Sequence, residues 1–211
     1  DQIALLKRYR PTILWAYPTV LKALLSRVNY RLDTVASPRL LITSAEVCDQ
    51  TLKTRIQDGS KIEIFNFYGA NEVGRIAAEC PLHKGLHVNE DHVILECVDS
   101  KNPAGLGVFG EAVVTSLHAL AQFFIRYRLG DVYTFLDKPC SCGSPFPLII
   151  APLGRSDDVV KLPSGNISSL WHFNFLLRKM NGLEQYRIIQ ESVEHLIVQL
   201  AFCGDPDSDE L

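Results

Sequence analysis

The sequence predicts an α/β protein in which a parallel βαβ sheet is followed by an antiparallel β subdomain and then by the start of a small α+β domain. Three changes of texture carry that prediction. Up to residue 75, apolar runs alternate with helical patterns; from 76 to 150, short strand-like runs are separated by Gly, Pro and Asn; beyond 166, a helical stretch leads into two strand-like runs. With 211 residues and 47% hydrophobic content, the chain can bury a substantial core. The expected division is a larger region 1–155, split into an α/β segment (1–75) and a β subdomain (76–153), followed by a smaller region 156–211.

"TILWAY" (12–17) reads as a short buried strand, and Pro18 then opens a helix at a position where its missing N–H costs nothing. Val20, Leu21, Leu24, Leu25 and Val28 follow at helical spacing. "RLLITSAE" (39–46) is a second strand. A helix then runs from an N-cap at Asp49 to a stop at Gly59, with Cys48, Leu52 and Ile56 on one face. "KIEIFNFYG" is the third strand, and strands alternating with helices of this length argue for parallel βαβ units. Next come "HVILECVD", "FGEAVVTSL", "QFFIRYRL" and "DVYTFLD", read as four antiparallel strands of a barrel-like subdomain. The boundary is placed at 154–158. Beyond it a helix near 168–181 precedes "YRIIQES" and "HLIVQLAF", two strands joined by a tight turn.

A formal charge of −3 supplies no general attraction to nucleic acid or to an anionic membrane. No apolar run reaches the roughly 20 residues that span a bilayer, and no charged-then-apolar signal segment opens the sequence, so a cytoplasmic location is expected. Six cysteines in that setting fit reduced thiols or a metal site better than a disulfide framework. The absence of an initial methionine suggests a piece of something longer.

The chemistry concentrates in "FYGANE". A strand ending in Tyr68-Gly69 offers an aromatic face, while the missing side chain lets a planar ligand approach the backbone. Glu72 offers hard oxygens suited to Mg²⁺, and Asn71 an amide able to donate to a phosphate oxygen. By itself this stretch reads more simply as a strand terminus with a turn. "YRLGD" (127–131) ends a further strand on Gly130-Asp131, where a carboxylate could accept from two ribose hydroxyls, and "GRSDD" (154–158) sets Arg155 beside two acids.

Three motifs in this order resemble the adenylate-forming ligases. With "LLITSAEV", "ECPLHKGLHVNEDHVILECVD", "PCSCG" and "LGRSDDVVKLPSG" added, the chain from about residue 10 to 205 looks like the phenylacetate-CoA ligase branch. The resemblance implies that residues 1–155 are the later half of a large adenylation domain and that 156–211 belong to a C-terminal lid. It implies an enzyme that joins ATP and an aryl or similar carboxylic acid into an acyl adenylate, then passes the acyl group to coenzyme A. It further implies that Ser44-Ala45-Glu46 lie against the adenine edge and that Tyr68, followed by Gly69, stacks on the adenine. Glu72 would hold Mg²⁺, Asp131 bind the ribose hydroxyls, Arg155 contact the ribose or α-phosphate, and Asp157 serve as the hinge. Implied partners are the carboxylic acid, ATP/AMP and coenzyme A, with room for a homodimer and none for nucleic acid or membrane.

Two departures from the pattern stand out. Asn71 replaces the usual Thr, so an amide takes the place of a hydroxyl at the phosphate. The phosphate loop ending in lysine would precede residue 1, the lid lysine would follow Leu211, and no GxxxxGK[ST] substitute occurs. This polypeptide is therefore expected to be inactive by itself. The alternatives are a non-catalytic nucleotide-binding scaffold and an adenylating relative with a non-CoA acceptor.

Cys80 and His83 form a C-x-x-H pair, and Cys140 and Cys142 a C-x-C pair, both in turn-like segments. Four such ligands suit a closed, structural tetrahedral Zn²⁺, with His87 as the alternative fourth ligand. The bland alternative is four unrelated groups in loops. Cys48, Cys97 and Cys203 read as buried small hydrophobes, and Glu90-Asp91-His92 as charges at a strand entrance. Trp15 and Tyr17 fit either an acid pocket or the core. Trp171 and Phe173 fit packing of the small domain, and Arg126 with Arg128 one exposed strand face.

Overall fold

The structure, a computed structural model, describes residues 2–202 except 47, 49, 100, 101, 104–106, 108, 151, 153, 157, 158, 165, 166, 170–172, 174, 175, 178, 179, 181 and 182. It divides into two compact units, Asp1–Pro152 and Leu153–Leu211.

In the first unit, helix α1 (Gln2–Tyr9) precedes strand β1 (Ile13–Ala16), helix α2 (Pro18–Ser26), β2 (Leu40–Ser44), α3 (Gln50–Ser60) and β3 (Ile64–Ala70). β1, β2 and β3 pair in parallel, with Trp15 opposite Ile42 and Ser44 opposite Phe67. β-Branched and aromatic residues fill these strands, and the helices bury Leu21, Leu25, Leu52 and Ile56 against Leu41 and Ile64. Each such side chain contributes roughly 2 kcal/mol on burial, which outweighs the absent side-chain cap at Tyr17. The cap of α2 is supplied from a distance. Glu46 accepts from the Thr19 backbone N–H at 2.9 Å and from its hydroxyl at 2.8 Å.

Beyond residue 70 the sheet continues where the sequence suggests a separate subdomain. β4 (Gly74–Glu79), β5 (Leu86–Val88) and β10 (Leu148–Ile149) add antiparallel strands, giving the order β1-β2-β3-β4-β5-β10. A second sheet has the order β7-β6-β8-β9, from β6 (Val93–Asp99), β7 (Asn102–Pro103), β8 (Gly110–Ser116) and β9 (Tyr127–Tyr133). Both sheets contribute to a second core that includes Tyr68, Ile76, Val88, Val93, Val114 and Tyr133.

The two strands expected at 122–129 and 131–137 are a single strand, β9, running through Gly130-Asp131. Gly130 adopts φ +75°, and the register against β8 shifts between Glu111 and Val113. The glycine admits a bulge, so the strand bends rather than ends, and Asp131 lies mid-strand. Arg126 and Arg128 pair with Glu96 (3.1 Å) and Glu111 as ion pairs with exposed guanidinium groups.

The second unit contains β11 (Val159–Lys161), β12 (Ile167–Ser169) and a long hairpin of β13 (Leu183–Ser192) with β14 (His195–Phe202). Most of the helix expected at 168–181, Trp171 and Cys203 lie outside the described residues. No described helix is long and apolar enough to cross a membrane.

Candidate functional site

The end of β3, the turn after it and β9 bring three of the expected residues, Tyr68, Glu72 and Asp131, into two contacts, with Tyr127 as an unforeseen fourth partner. The Tyr68 hydroxyl donates to Asp131 Oδ2 at 2.7 Å, and the Tyr127 hydroxyl donates to Glu72 Oε1 at 3.1 Å. These residues are 63 and 55 positions apart in sequence, so the two bonds tie the β3–β4 hairpin to the second sheet twice. Tyr68 is buried, and its ring is held by Asp131 at one end and the core at the other. Glu72 is half-buried and Asn71 exposed on the turn beside it.

Gly69 has a different reason from the one its sequence context suggests. A Cβ there would lie 2.6 Å from the Gly74 carbonyl oxygen across the hairpin. The glycine makes room for the partner strand at a register shift between Tyr68 and Gly69, not for a ligand.

At the end of β2, Ala45 is held at φ +68°, a left-handed conformation that costs an alanine about 1 kcal/mol and is found at turns that present backbone groups. Ser44 Oγ accepts from the Trp15 indole N–H at 2.7 Å. The Glu46 carboxylate, expected near the adenine, is committed to the N-terminus of α2. Arg155 lies exposed in the second unit, and Asp157 is outside the described residues. Trp15 and Tyr17 are not core residues: they are 61% and 53% exposed and line an apolar groove of about 750 Å³ with Leu5, Tyr9, Val20 and Leu24.

A second cluster gathers donors that sequence spacing separates. The ligand atoms of Cys80, His87, Cys140 and Cys142 all lie within 4.8 Å of one another. The fourth member is His87, not His83. His87 pairs with Ala78 across the β4–β5 hairpin, so it points to the same face as Ala78 and, two residues on, Cys80. His83, at φ +49° in the intervening turn, swings back instead, with Nδ1 3.3 Å from Glu79 Oε2.

The spacing within the group is compatible with a tetrahedral metal. Two thiolates on one zinc at about 2.3 Å stand about 3.8 Å apart, and Cys80 Sγ lies 3.8 Å from Cys140 Sγ. His87 Nδ1 donates to the Phe146 carbonyl at 3.0 Å, which leaves the Nε2 lone pair facing Cys142 Sγ at 3.3 Å. The Cys142 backbone N–H holds the Cys140 thiol below its ordinary range, while burial pushes that of Cys80 up.

The remaining candidates have structural partners. His92 Nε2 donates to the Val73 carbonyl at 3.2 Å and its ring stacks on His118. Cys97 is buried, its thiol 3.4 Å from the Tyr133 carbonyl, and Cys48 packs against the helical core.

No family model matches the chain. It is 27% identical over 176 residues to a phenylacetate-coenzyme A ligase of Thermus thermophilus, a match covering 79% of this chain and 39% of that one. It is 29% identical over 173 residues to the Pseudomonas putida enzyme of the same name, with the same coverage. The chain thus spans about two fifths of the length of these curated relatives. Among solved structures it superimposes on 2-hydroxyisobutyryl-CoA ligase in complex with 2-HIB-AMP with a TM-score of 0.78, at 20% identity, over 94% of this chain and 45% of that one. On O-succinylbenzoate coenzyme A synthetase from Bacillus subtilis, in complex with AMP, the TM-score is 0.75 at 14% identity, over 100% and 45%. The fold is that of the corresponding portion of these solved CoA ligase and synthetase structures.

Proposed function

We propose, from a chain similar in sequence to phenylacetate-coenzyme A ligases and sharing their fold, that it belongs to an AMP-forming carboxylate–CoA ligase acting on an aryl or similar acid. The observation that carries this reading is the paired arrangement of Tyr68 with Asp131 and Tyr127 with Glu72 at the ends of β3 and its turn. Ligands of α/β sheets bind outside the carboxyl ends of the parallel strands, where these groups sit. Tyr68, expected to stack on the adenine, is buried in the core and instead positions Asp131 through its hydroxyl; Asp131 supplies a carboxylate for the ribose hydroxyls, and the Ser44-Ala45 turn backbone groups for the adenine edge. Glu72 keeps Oε2 uncommitted among the described residues, and it would hold Mg²⁺, which would neutralise charge on the phosphates. Cys80, His87, Cys140 and Cys142 would hold a structural Zn²⁺ that staples β4–β5 to the loop before β10. ATP and coenzyme A would be co-substrates of the complete enzyme, which we place in the cytoplasm.

Calorimetric titration of the chain with AMP tests the nucleotide half. Asp131→Asn is expected to weaken AMP binding about tenfold or more; unchanged affinity would remove Asp131 and Tyr68 from the site. In the complete protein, pyrophosphate release should depend on an added aryl acid, and a panel of such acids giving none would overturn the ligase reading.

A further inference from the structure

A row of side chains crosses one face of the first sheet and takes no share in the nucleotide contacts. Trp15 on β1 reaches over β2, donating to Ser44, and meets the Phe67 ring edge-on with centroids 5.8 Å apart and planes at 72°. On the far side of Phe67, the Arg75 guanidinium carbon stands 5.7 Å from the ring centroid. The register explains the alignment: Ser44 faces Phe67 across β2–β3, and Arg75 faces Gly69 across β3–β4. Phe67 and Tyr68 are consecutive strand residues and point to opposite faces, so the row lies on the other side of the sheet from Tyr68 and Asp131.

Two properties make this row a recognition surface. Trp15 is 61% exposed and continues into the apolar groove beside β1. The Arg75 guanidinium rests on the Phe67 ring with no carboxylate partner among the described residues, an arrangement shared by Arg8 over Tyr9 and Arg55 over Tyr30, and what sets it apart is its place in line with Phe67 and Trp15. An arginine resting on an aromatic ring keeps its planar fork preorganised, and its natural complement is a carboxylate taken bidentately.

Resting on the proposed ligase function, we propose that Arg75 is a specificity residue. It binds a second anionic group on an aromatic acid whose ring lies along Trp15 and Phe67, while the reacting carboxylate is directed past the strand ends toward Glu72. The substrate class is therefore an aromatic acid bearing a second carboxylate or similarly anionic substituent. Arg75 acts on selection alone and touches no reacting atom.

The test is a two-by-two comparison by ligand-observed NMR titration of the chain, with isophthalate against benzoate and the native protein against Arg75→Gln. Isophthalate should bind about fivefold more tightly than benzoate to the native chain, the charge-assisted gain being reduced by solvent screening. In Arg75→Gln the two acids should bind equally. Equal binding of both acids by the native chain, binding of neither, or a preference that survives Arg75→Gln would overturn the proposal. AMP titration of the same two proteins separates this outcome from the fate of its premise. AMP bound equally by both keeps the nucleotide reading whatever the acids do, and AMP bound by neither removes that reading while the acid comparison still reports on Arg75.

Discussion

Cutting one corner of the Cys/His cluster should cost the protein both its metal and much of its thermal stability. Cys80 and Cys140 are 60 positions apart, so a zinc ion joining them closes a long loop. Chain-entropy arithmetic for a cross-link of that span gives about 4 kcal/mol. In a unit of this size each kcal/mol moves the melting temperature by about 2–4 °C, so losing the staple should lower it by about 8–16 °C. The assay pairs elemental analysis with thermal melts of the native chain, Cys140→Ser, His87→Gln and His83→Gln, with and without a chelator. The native chain should carry one zinc. Cys140→Ser and His87→Gln should lose it and melt early, and the chelator should then do nothing more to them. His83→Gln should keep metal, because its ring is turned to Glu79. Full metal occupancy in His87→Gln, or metal loss in His83→Gln with His87 intact, would refute the register argument.

Three further outcomes follow from the packing. The Tyr133 hydroxyl is fully buried without a hydrogen-bond partner among the described residues, and burial drives its pKa far up; Tyr133→Phe should therefore stabilise the chain by about 1 kcal/mol, and a fall in melting temperature would mean that the hydroxyl is satisfied. Lys53 lies 2.5 Å from Glu79, whose side chain is only 8% exposed and also accepts from the Asn66 N–H. Lys53→Met should cost about 3–5 kcal/mol in urea unfolding, with some of it recovered in the double variant with Glu79→Gln; a loss below about 1 kcal/mol would show the pair to be solvated. Glu46→Ala removes the cap from α2 and should lower stability by about 1 kcal/mol, so an unchanged melt would contradict the capping geometry.

The parallel portion of the fold was legible because its signals are local. Pro18 at a helix start, the 3.6-residue spacing from Val20 to Val28 and the apolar runs of β1 to β3 each act within one element. The continuation of that sheet through β4, β5 and β10 was not legible, since β5 and β10 are only three and two residues long and gain their stability from neighbours. Gly130 read as a strand end because glycine breaks local patterns, whereas the pairing with β8 absorbs it as a bulge.

The candidate site divides along the same line. By itself the sequence determined which residue types stand in each motif: the aromatic, glycine and acid of "FYGANE", the acid of "YRLGD" and the soft ligands around residues 80 and 140. Only the tertiary structure decided their partners. It joined Tyr68 to Asp131, committed Glu46 to a helix end, replaced His83 by His87 and left Arg75 over Phe67 without a carboxylate among the described residues. Residue type is a property of one position, but orientation depends on strand register, where a shift of one residue reverses the face, and register is settled by the packing of the whole sheet.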